Sequence, residues 1–361
     1  VPPKKKTYTP PKSLDIFLNQ QEKKFGNRLI RHEQKLVPQY IPTGSIGLDM
    51  ALGGGWRTGR IHQIVGQPGC AKTSLAIVSM AEAQKMFPDR VAAYVDVERT
   101  FEEPFAESLG LDLSSKRFVW VKVDSSEEAS DVCRDMLRSE LFSMVTIDSV
   151  GAMERAQALY DKDAEESDMG KNAQVISRLC KQCAVIGDNT NTTTLVINQY
   201  RTNFEGGMDK PSGPKILGYT TTDSVAMRRT FGVDNVEIRL IDGEEIEVSR
   251  KIVAKVERSK IFPQGRKAEF WFNNVDTDFG PVGIDVVGEV WMMVKRAGIM
   301  TTTSSGSNWW VFPDGTKENG DAAVKRRLRN DPKLLAELEA QCRESVAHER
   351  IEETKVEYEA V

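Results

Sequence analysis

Short apolar runs alternate with segments of helical periodicity through most of the chain. Arg60 to Val65 reads as a buried strand, followed by a Gly/Pro turn and a helix beginning near Lys72. Val91 to Val97 is a second strand-like run, with helical character over 103–109, and Phe118 to Val123 alternates as a strand. Ser125 and Glu128 have capping-box spacing and open a helix running to about Phe142. Met144 to Ile147 and Thr194 to Ile197 are further strands, separated by a helical segment over 171–187. Strands alternating with helices predict an α/β fold with a mostly parallel, doubly wound sheet.

Past Thr222 the pattern changes. Val236–Ile241, an Asp242-Gly243 turn and Ile246–Val256 form a predicted hairpin, and Ala268–Phe272 adds a strand. The sheet is therefore expected to end in antiparallel strands. Ahead of it, 13–25 reads as a short helix with Leu14, Phe17 and Leu18 on one side and Gly26 as a stop. Behind it, 284–297 is helical, 300–316 is turn-rich, and Asp331-Pro332 starts a helix with Asp at the N-cap. The expected divisions are an arm (1–40), a core (41–275), a small C-terminal α/β domain (276–343) and an acidic tail (344–361). Two stretches, 154–169 and 201–220, carry no clear structural signal, and loops this long inside a domain are usually functional or disordered.

Composition narrows the class. Hydrophobic residues make up 40% and charged residues 28% of 361, ordinary for a globular chain. No apolar stretch approaches the roughly 20 residues a membrane span needs, and no apolar run follows the basic N-terminus, so neither a span nor a secretory leader is expected. The net charge of −4 excludes a polycation that coats nucleic acid indiscriminately. Residues 1–40 nevertheless hold nine Lys/Arg against Asp15, Glu22 and Glu33, a balance of +6 that leaves −10 for the rest. A basic arm on an acidic body fits contact between subunits, or equally a solvated tail. Five irregularly spaced cysteines fit a reducing compartment. The lone Cys180-x-x-Cys183 pair reads as one helix face rather than a zinc site.

The chemistry concentrates at strand ends. Gly66-Gln67-Pro68-Gly69-Cys70-Ala71-Lys72-Thr73, followed by Ser74, sits between a strand and a helix and follows the P-loop pattern, with Ala71 replacing its second glycine. Such a loop turns backbone N–H groups toward a phosphate at a helix N-terminus. Lys72 supplies a point charge to the phosphates, and the Thr73 hydroxyl is a Mg²⁺ ligand. Asp148 ends an apolar strand, where a carboxylate orients Mg²⁺, although an Asp there also caps turns. Glu98 follows a strand at the edge where open α/β sheets bind ligand, placed to polarise a water, with Asp96 as a competitor. Asn198-Gln199 ends another strand, where an amide could sense a γ-phosphate and pass the signal to 201–220.

These features together resemble the RecA family of recombinases, in some details the phage-encoded, UvsX-like branch. The resemblance spans nearly the whole chain. It rests on Leu18 to Gly26, Ile41 to Gly53, the P-loop, Asp96-x-Glu98, Asp148-Ser149-Val150, Met169-Gly170, Asn198 to Arg201, Val256 to Lys260, Ala297-Gly298 and Trp309-Trp310, all in family order. It implies a RecA-like P-loop ATPase core and a DNA-dependent ATPase that uses ATP and Mg²⁺. Glu98 is then the catalytic carboxylate and Gln199 the γ-phosphate sensor. Phe105 stacks on adenine, with Glu102 at the base. Arg258 and Lys260 reach the ATP of a neighbouring protomer. The two unstructured stretches become DNA-binding loops, with Met169, Gly170, Ser177, Lys181, Arg201, Lys210 and Lys215 as DNA-binding residues. The chain departs from the bacterial pattern at Ala71, at Gln174 where that pattern has arginine, and in the glycine spacing of the second loop.

The implied partners are single-stranded DNA, homologous duplex DNA and further copies in a helical filament, with single-strand-binding and loader proteins as accessories. The implied setting is the cytoplasm of a bacterium or a phage-infected host. Two other classes compete: a RecA-core ring helicase or DNA-repair ATPase, and a non-catalytic DNA-binding regulator made thinkable by Ala71.

Overall fold

The structure, a computed structural model, describes residues 13–25, 38–156, 167–201, 210–241, 243–276 and 280–344. Backbone contacts divide the chain into residues 1–39 and 40–361. In the first unit the described element is α1 (Leu14–Phe25), as the pattern predicts; the expected Gly26 stop lies outside the described residues.

The second unit is built on one ten-stranded sheet. Its parallel part consists of β3 (Ile61–Gly66), β4 (Val91–Asp96), β5 (Phe118–Lys122), β6 (Phe142–Asp148), β7 (Thr193–Asn198) and β10 (Asp223–Arg229), in the spatial order β10-β3-β7-β6-β4-β5. β3 and β7 are buried along their whole length. Continuous apolar runs of this kind are what a parallel sheet covered on both faces requires. One face packs on α3 (Lys72–Met86), through Leu75, Ile77 and Met80. The other packs on α5 (Ser126–Arg138) and α6 (Ser167–Thr190), through Cys133, Leu137, Ile176 and Leu179. Cys180 and Cys183 are both buried in that second cluster.

The antiparallel end follows the expected hairpin. β11 (Val236–Ile241) pairs with β12 (Glu244–Ser259), which pairs with β10 on one side and β13 (Lys267–Asn273) on the other. A two-residue β14 (Gly283–Ile284) closes that edge. Small pairs flank the sheet: β1 (Tyr40–Ile41) with β2 (Trp56–Arg57), around α2 (Ile46–Leu52), and β8 (Tyr200–Arg201) with β9 (Lys210–Pro211).

Three expectations need correction, and one strand went unpredicted. The helix opened by Ser125 has the Ser half of the box, Ser125 Oγ accepting from Glu128 N at 3.2 Å, while Glu128 Oε2 accepts from Asp124 N at 2.7 Å, one residue ahead of the N-cap. It ends at Arg138, however, and Phe142 starts β6, because Glu140 takes φ +62° and turns the chain back. The helix expected over 171–187 extends over Ser167–Thr190, taking in the end of the first unstructured stretch. The second stretch is ordered at both ends, by β8 and β9 and by α7 (Lys215–Thr220). Its middle, and residues 157–166 of the first, lie outside the described residues. Finally, β10 gives no alternation that singles it out, since Asp223 and Ser224 are buried beside its apolar residues.

Residues after the sheet gather a third apolar cluster. α8 (Val286–Arg296), α9 (Gly320–Asn330), a helix over 332–344 and the three-stranded β15 (Thr301–Thr302), β16 (Trp309–Val311) and β17 (Lys317–Asn319) enclose Val290, Trp291, Phe312, Leu328 and Leu338, together with Ile46 of α2. Asp331 caps its helix as predicted, accepting from Leu334 N at 3.0 Å. At the seam with the core, buried Glu289 accepts from Ser45 Oγ at 2.6 Å and Gly47 N at 2.9 Å, while Asp49 pairs with Arg343 at 3.0 Å. Burial pushes Glu289 up to about 7 and Asp49 up to about 6. No helix among the described residues is long and apolar enough to cross a membrane.

Candidate nucleotide site and intersubunit edge

The parallel pairing brings four strand ends to one edge. Val65 lies opposite Asn198, Ile147 opposite Val196, and Asp96 opposite Asp148. The residues just past these positions are the P-loop, Glu98, Ser149 and Gln199.

The P-loop is formed by close packing. A Cβ at Gly66 would lie 2.4 Å from Met227 O and 2.6 Å from Cys70 Sγ, so no larger residue fits. Gly69 takes φ +72°. Ala71 takes φ +60°, ψ +30°, the left-handed region, which costs an L-residue about 1 kcal/mol. The loop therefore keeps the backbone shape that its second glycine would have provided. Buried Lys72 starts α3 and donates to Gln67 O at 2.9 Å; Cys70 Sγ donates to the same oxygen at 2.9 Å. Burial pushes the Cys70 thiol up, with nearby Lys72 opposing. This cysteine is packing, not a poised nucleophile. Pro68 and Gln67 are exposed, and Ser74 is buried one position past Thr73.

Thr73 Oγ1 donates to Asp148 Oδ2 at 2.8 Å. Tyr94, fully buried in β4, donates to the same oxygen at 2.6 Å. Burial raises the pKa of Asp148, while the hydrogen bonds from Tyr94 and Thr73 hold it down. A hydroxyl and a carboxylate in contact at the P-loop are the oxygen donors a Mg²⁺ needs when phosphates and water complete its shell. They fit that ion, and the glycine-lined loop with Lys72 fits a polyphosphate.

Glu98 Oε1 accepts from Gln199 Nε2 at 3.0 Å and from Ser149 Oγ. Asp96 is committed elsewhere: it accepts from Arg99 N at 2.8 Å and Trp120 Nε1 at 3.1 Å. Asp96 is fully buried, whereas Glu98 is half-buried beside Gln199 and Ser149. Asn198 Nδ2 donates to Ser212 O at 2.7 Å, and Ser212 N to Gln199 O at 2.8 Å, which ties the Asn198-Gln199 pair to the far end of the second loop.

A cleft of about 290 Å³ opens beside the P-loop, with Ala71, Lys72, Thr73 and Phe105 on one wall and Arg250, Phe272 and Asn274 on the other. Phe105 thus supplies an aromatic face to the cleft. Glu102 does not line the cleft; it is exposed at the start of α4 (Glu103–Ser108).

Arg258 and Lys260 are exposed at the other edge of the sheet. Arg258 lies opposite Ser224 and Asp223 lies opposite His62, whereas Gly66 lies opposite Met227. The four residue steps from Asp223 to Met227 span about 13 Å of strand. These cations therefore face away from the phosphates of their own chain. Lys260 Nζ donates to Tyr219 O at 2.6 Å. Partial burial, then Arg258 and Arg60, lower its pKa.

The expected DNA residues fall into two groups. Met169 and Gly170 lie in the first turn of α6, and further along it Ser177, exposed Lys181, Gln174 and Arg178 line an open groove of about 590 Å³. Arg201 and Lys210 lie opposite each other in the β8–β9 pair, and exposed Lys215 starts α7.

Pattern reading missed Tyr94, Ser149, Arg250 and Asn274. Tyr94 left a signal, since a tyrosine inside a buried strand must place its hydroxyl on a partner. Arg250 and Asn274 reach the cleft from strands distant in sequence and left none.

Fold and site together define a RecA-like P-loop ATPase. Residues 12–274 match the RecA N-terminal domain. The chain is 32% identical to Protein RecA of Bacteroides thetaiotaomicron over 337 residues, covering 91% of this chain and 95% of that protein. It is 31% identical to Protein RecA of Porphyromonas gingivalis, with 85% of each covered, and 29% identical to Protein RecA of a Sulfurovum species, with 93% and 92% covered. The chain belongs to the RecA family.

Proposed function

We infer that this chain is an ATP-dependent recombinase. It assembles as a helical filament on single-stranded DNA, hydrolyses ATP with Mg²⁺ in a DNA-dependent manner, and pairs the bound strand with homologous duplex. One observation carries the mechanism: the groups that bind and cleave nucleotide lie on one edge of the sheet, and the cations Arg258 and Lys260 lie on the opposite edge. A nucleotide held by Lys72, Thr73 and Asp148 meets those cations only on a second copy. Assembly and turnover are then coupled, because each changes the free energy of the other.

Within one site, Glu98 polarises the attacking water and Lys72 neutralises phosphate charge. Gln199 bridges Glu98 to the segment leading into the second loop, so its position reports whether a γ-phosphate is present. Arg258 and Lys260 of a neighbour stabilise the charge developing on that phosphate. Met169, Gly170, Ser177, Lys181, Arg201, Lys210 and Lys215 bind DNA through its phosphates. Affinity therefore falls with salt, and sequence is read by base pairing alone. We read 1–40 as the polymerisation arm, 276–343 as the small C-terminal domain and 344–361 as an acidic tail that competes with DNA for basic surface.

Two finer readings go with this. Ala71 and Gln174 support a phage-encoded, UvsX-like member, and a gene lying among phage replication genes is the expected check. Free, buried cysteines support a cytoplasmic setting. Strand exchange between circular single-stranded and homologous linear DNA tests the function: joint molecules form with ATP and not without it. ATP turnover indifferent to protein concentration and to added oligonucleotide would overturn the reading.

A further inference from the structure

The second-loop segment meets the strand of the exposed cations at three places. Tyr200 Oη donates to Glu257 Oε2 at 2.9 Å, and Lys260 Nζ donates to Tyr219 O at 2.6 Å. The Arg258 guanidinium lies over Gly218, where an added Cβ would come within 2.9 Å of Nη1. Of the three, only the Tyr200–Glu257 contact joins two side chains.

Glu257 reaches Tyr200 because β12 is bulged there. Val256 opposes Val225 and Arg258 opposes Ser224, which leaves Glu257 without a partner on β10. A bulge re-aims the side chains it carries. Here Glu257 and its neighbour Arg258 both meet the 200–220 segment. At the other end, Tyr200 directly follows Gln199, whose amide holds Glu98 at 3.0 Å. Burial and the Glu257 carboxylate keep the Tyr200 hydroxyl protonated, with Arg228 opposing, so it stays a donor.

We propose that Tyr200 is a positioning residue for Arg258, linking the chain's own nucleotide to the cation it lends to the next protomer. The physical logic is competition. Glu257 is half-buried beside Arg258, and its carboxylate accepts from Tyr200. Without that donor the carboxylate draws the adjacent guanidinium back onto its own chain. A shift of Gln199 moves Tyr200 with it, which loosens or tightens this hold. The inference rests on the intersubunit reading above.

The test uses mixed filaments on single-stranded DNA. Arg258→Ala protomers keep their own nucleotide site and lack the cation. Glu98→Gln protomers bind ATP, do not turn over, and supply the cation. Mixing them restores ATPase. Glu98→Gln donors that also carry Tyr200→Phe should restore at least threefold less, per labelled donor in the filament. Donors with Glu257→Gln, which retains an acceptor oxygen, should restore most of it. Adding Glu257→Leu to the Tyr200→Phe donors should recover most of the rescue, because the carboxylate that draws the guanidinium back is then gone. Undiminished rescue by Tyr200→Phe donors overturns the positioning role and leaves the intersubunit reading intact. No rescue even with Tyr200 present overturns both. A loss explained wholly by poor donor incorporation also counts against the proposal.

Discussion

The two edges of the central sheet differ in how far one chain satisfies them. At the P-loop edge every group named has a partner within the same chain: Thr73 and Tyr94 on Asp148, Gln199 and Ser149 on Glu98, Lys72 on a loop carbonyl. At the opposite edge Arg258 and Lys260 are exposed cations near one another and near Arg60, in an arrangement that lowers the proton affinity of Lys260. The first edge is a network of buried and half-buried groups satisfied within one chain. At the second, Lys260 donates to Tyr219 O at 2.6 Å, and both cations stay exposed to an anion from outside. Under the proposed function, a site divided in this way would make catalysis a property of a pair of molecules.

Breaking the exposed edge should have the largest effect. Arg258→Ala is expected to lower DNA-stimulated kcat by about 10³-fold, the scale of cations supplied in trans in related phosphoryl transfer. ATP binding to the isolated protein should change little. A loss of binding as large as the loss of turnover would place the cation in its own chain's site. Breaking the buried edge at its carboxylate comes next. Glu98→Gln should cut turnover by about 10²-fold or more, the scale of a lost general base, while filaments persist under electron microscopy.

A third change separates stability from either edge. Glu289 and Asp49 titrate near 7 and 6 in the folded chain, above the ordinary carboxylate range. The folded state therefore binds protons more tightly than the unfolded one. The stability these two groups contribute is fully present below about pH 4 and is lost as pH rises to about 7. Glu289→Gln should flatten that slope by about 1–3 kcal/mol, measured by urea unfolding at pH 5 and pH 8, with kcat per filament unchanged. The smallest effect is expected at Ala71→Gly. It relieves about 1 kcal/mol of left-handed strain but loosens the unfolded chain, so the melting temperature should move by only a degree or two. Turnover should change more than ATP affinity, and by less than tenfold.

The buried edge was the legible one. Its residues end apolar runs, so a change from hydrophobic to charged along the sequence marks them directly. Asp148, Glu98 and Gln199 stand where that reading put them. The P-loop was legible for the same reason, with a glycine-rich turn between a strand and a helix. The cleft's far wall was not, since Arg250 and Asn274 join it through antiparallel pairing that no local pattern reveals. β10 escaped because its first two residues are polar and buried, inverting the usual signal. The ordered ends of the second loop escaped because their partners are distant: Ser212 with Asn198, and Gly218 with Arg258. Glu102 was legible only through the family pattern, and it stands at the N-cap of α4, outside the residues that line the cleft.

The hydrogen bond from Trp120 to Asp96 has a practical consequence. Asp96 also anchors Arg99 and Thr100, so the indole is fastened to the turn that carries Glu98. Phe101 lies 5.0 Å from the same indole, between centroids. Any movement of that turn alters the surroundings of a natural fluorophore. Emission from Trp120, in a variant whose other five tryptophans are replaced, thus offers an optical record of that turn without an added dye.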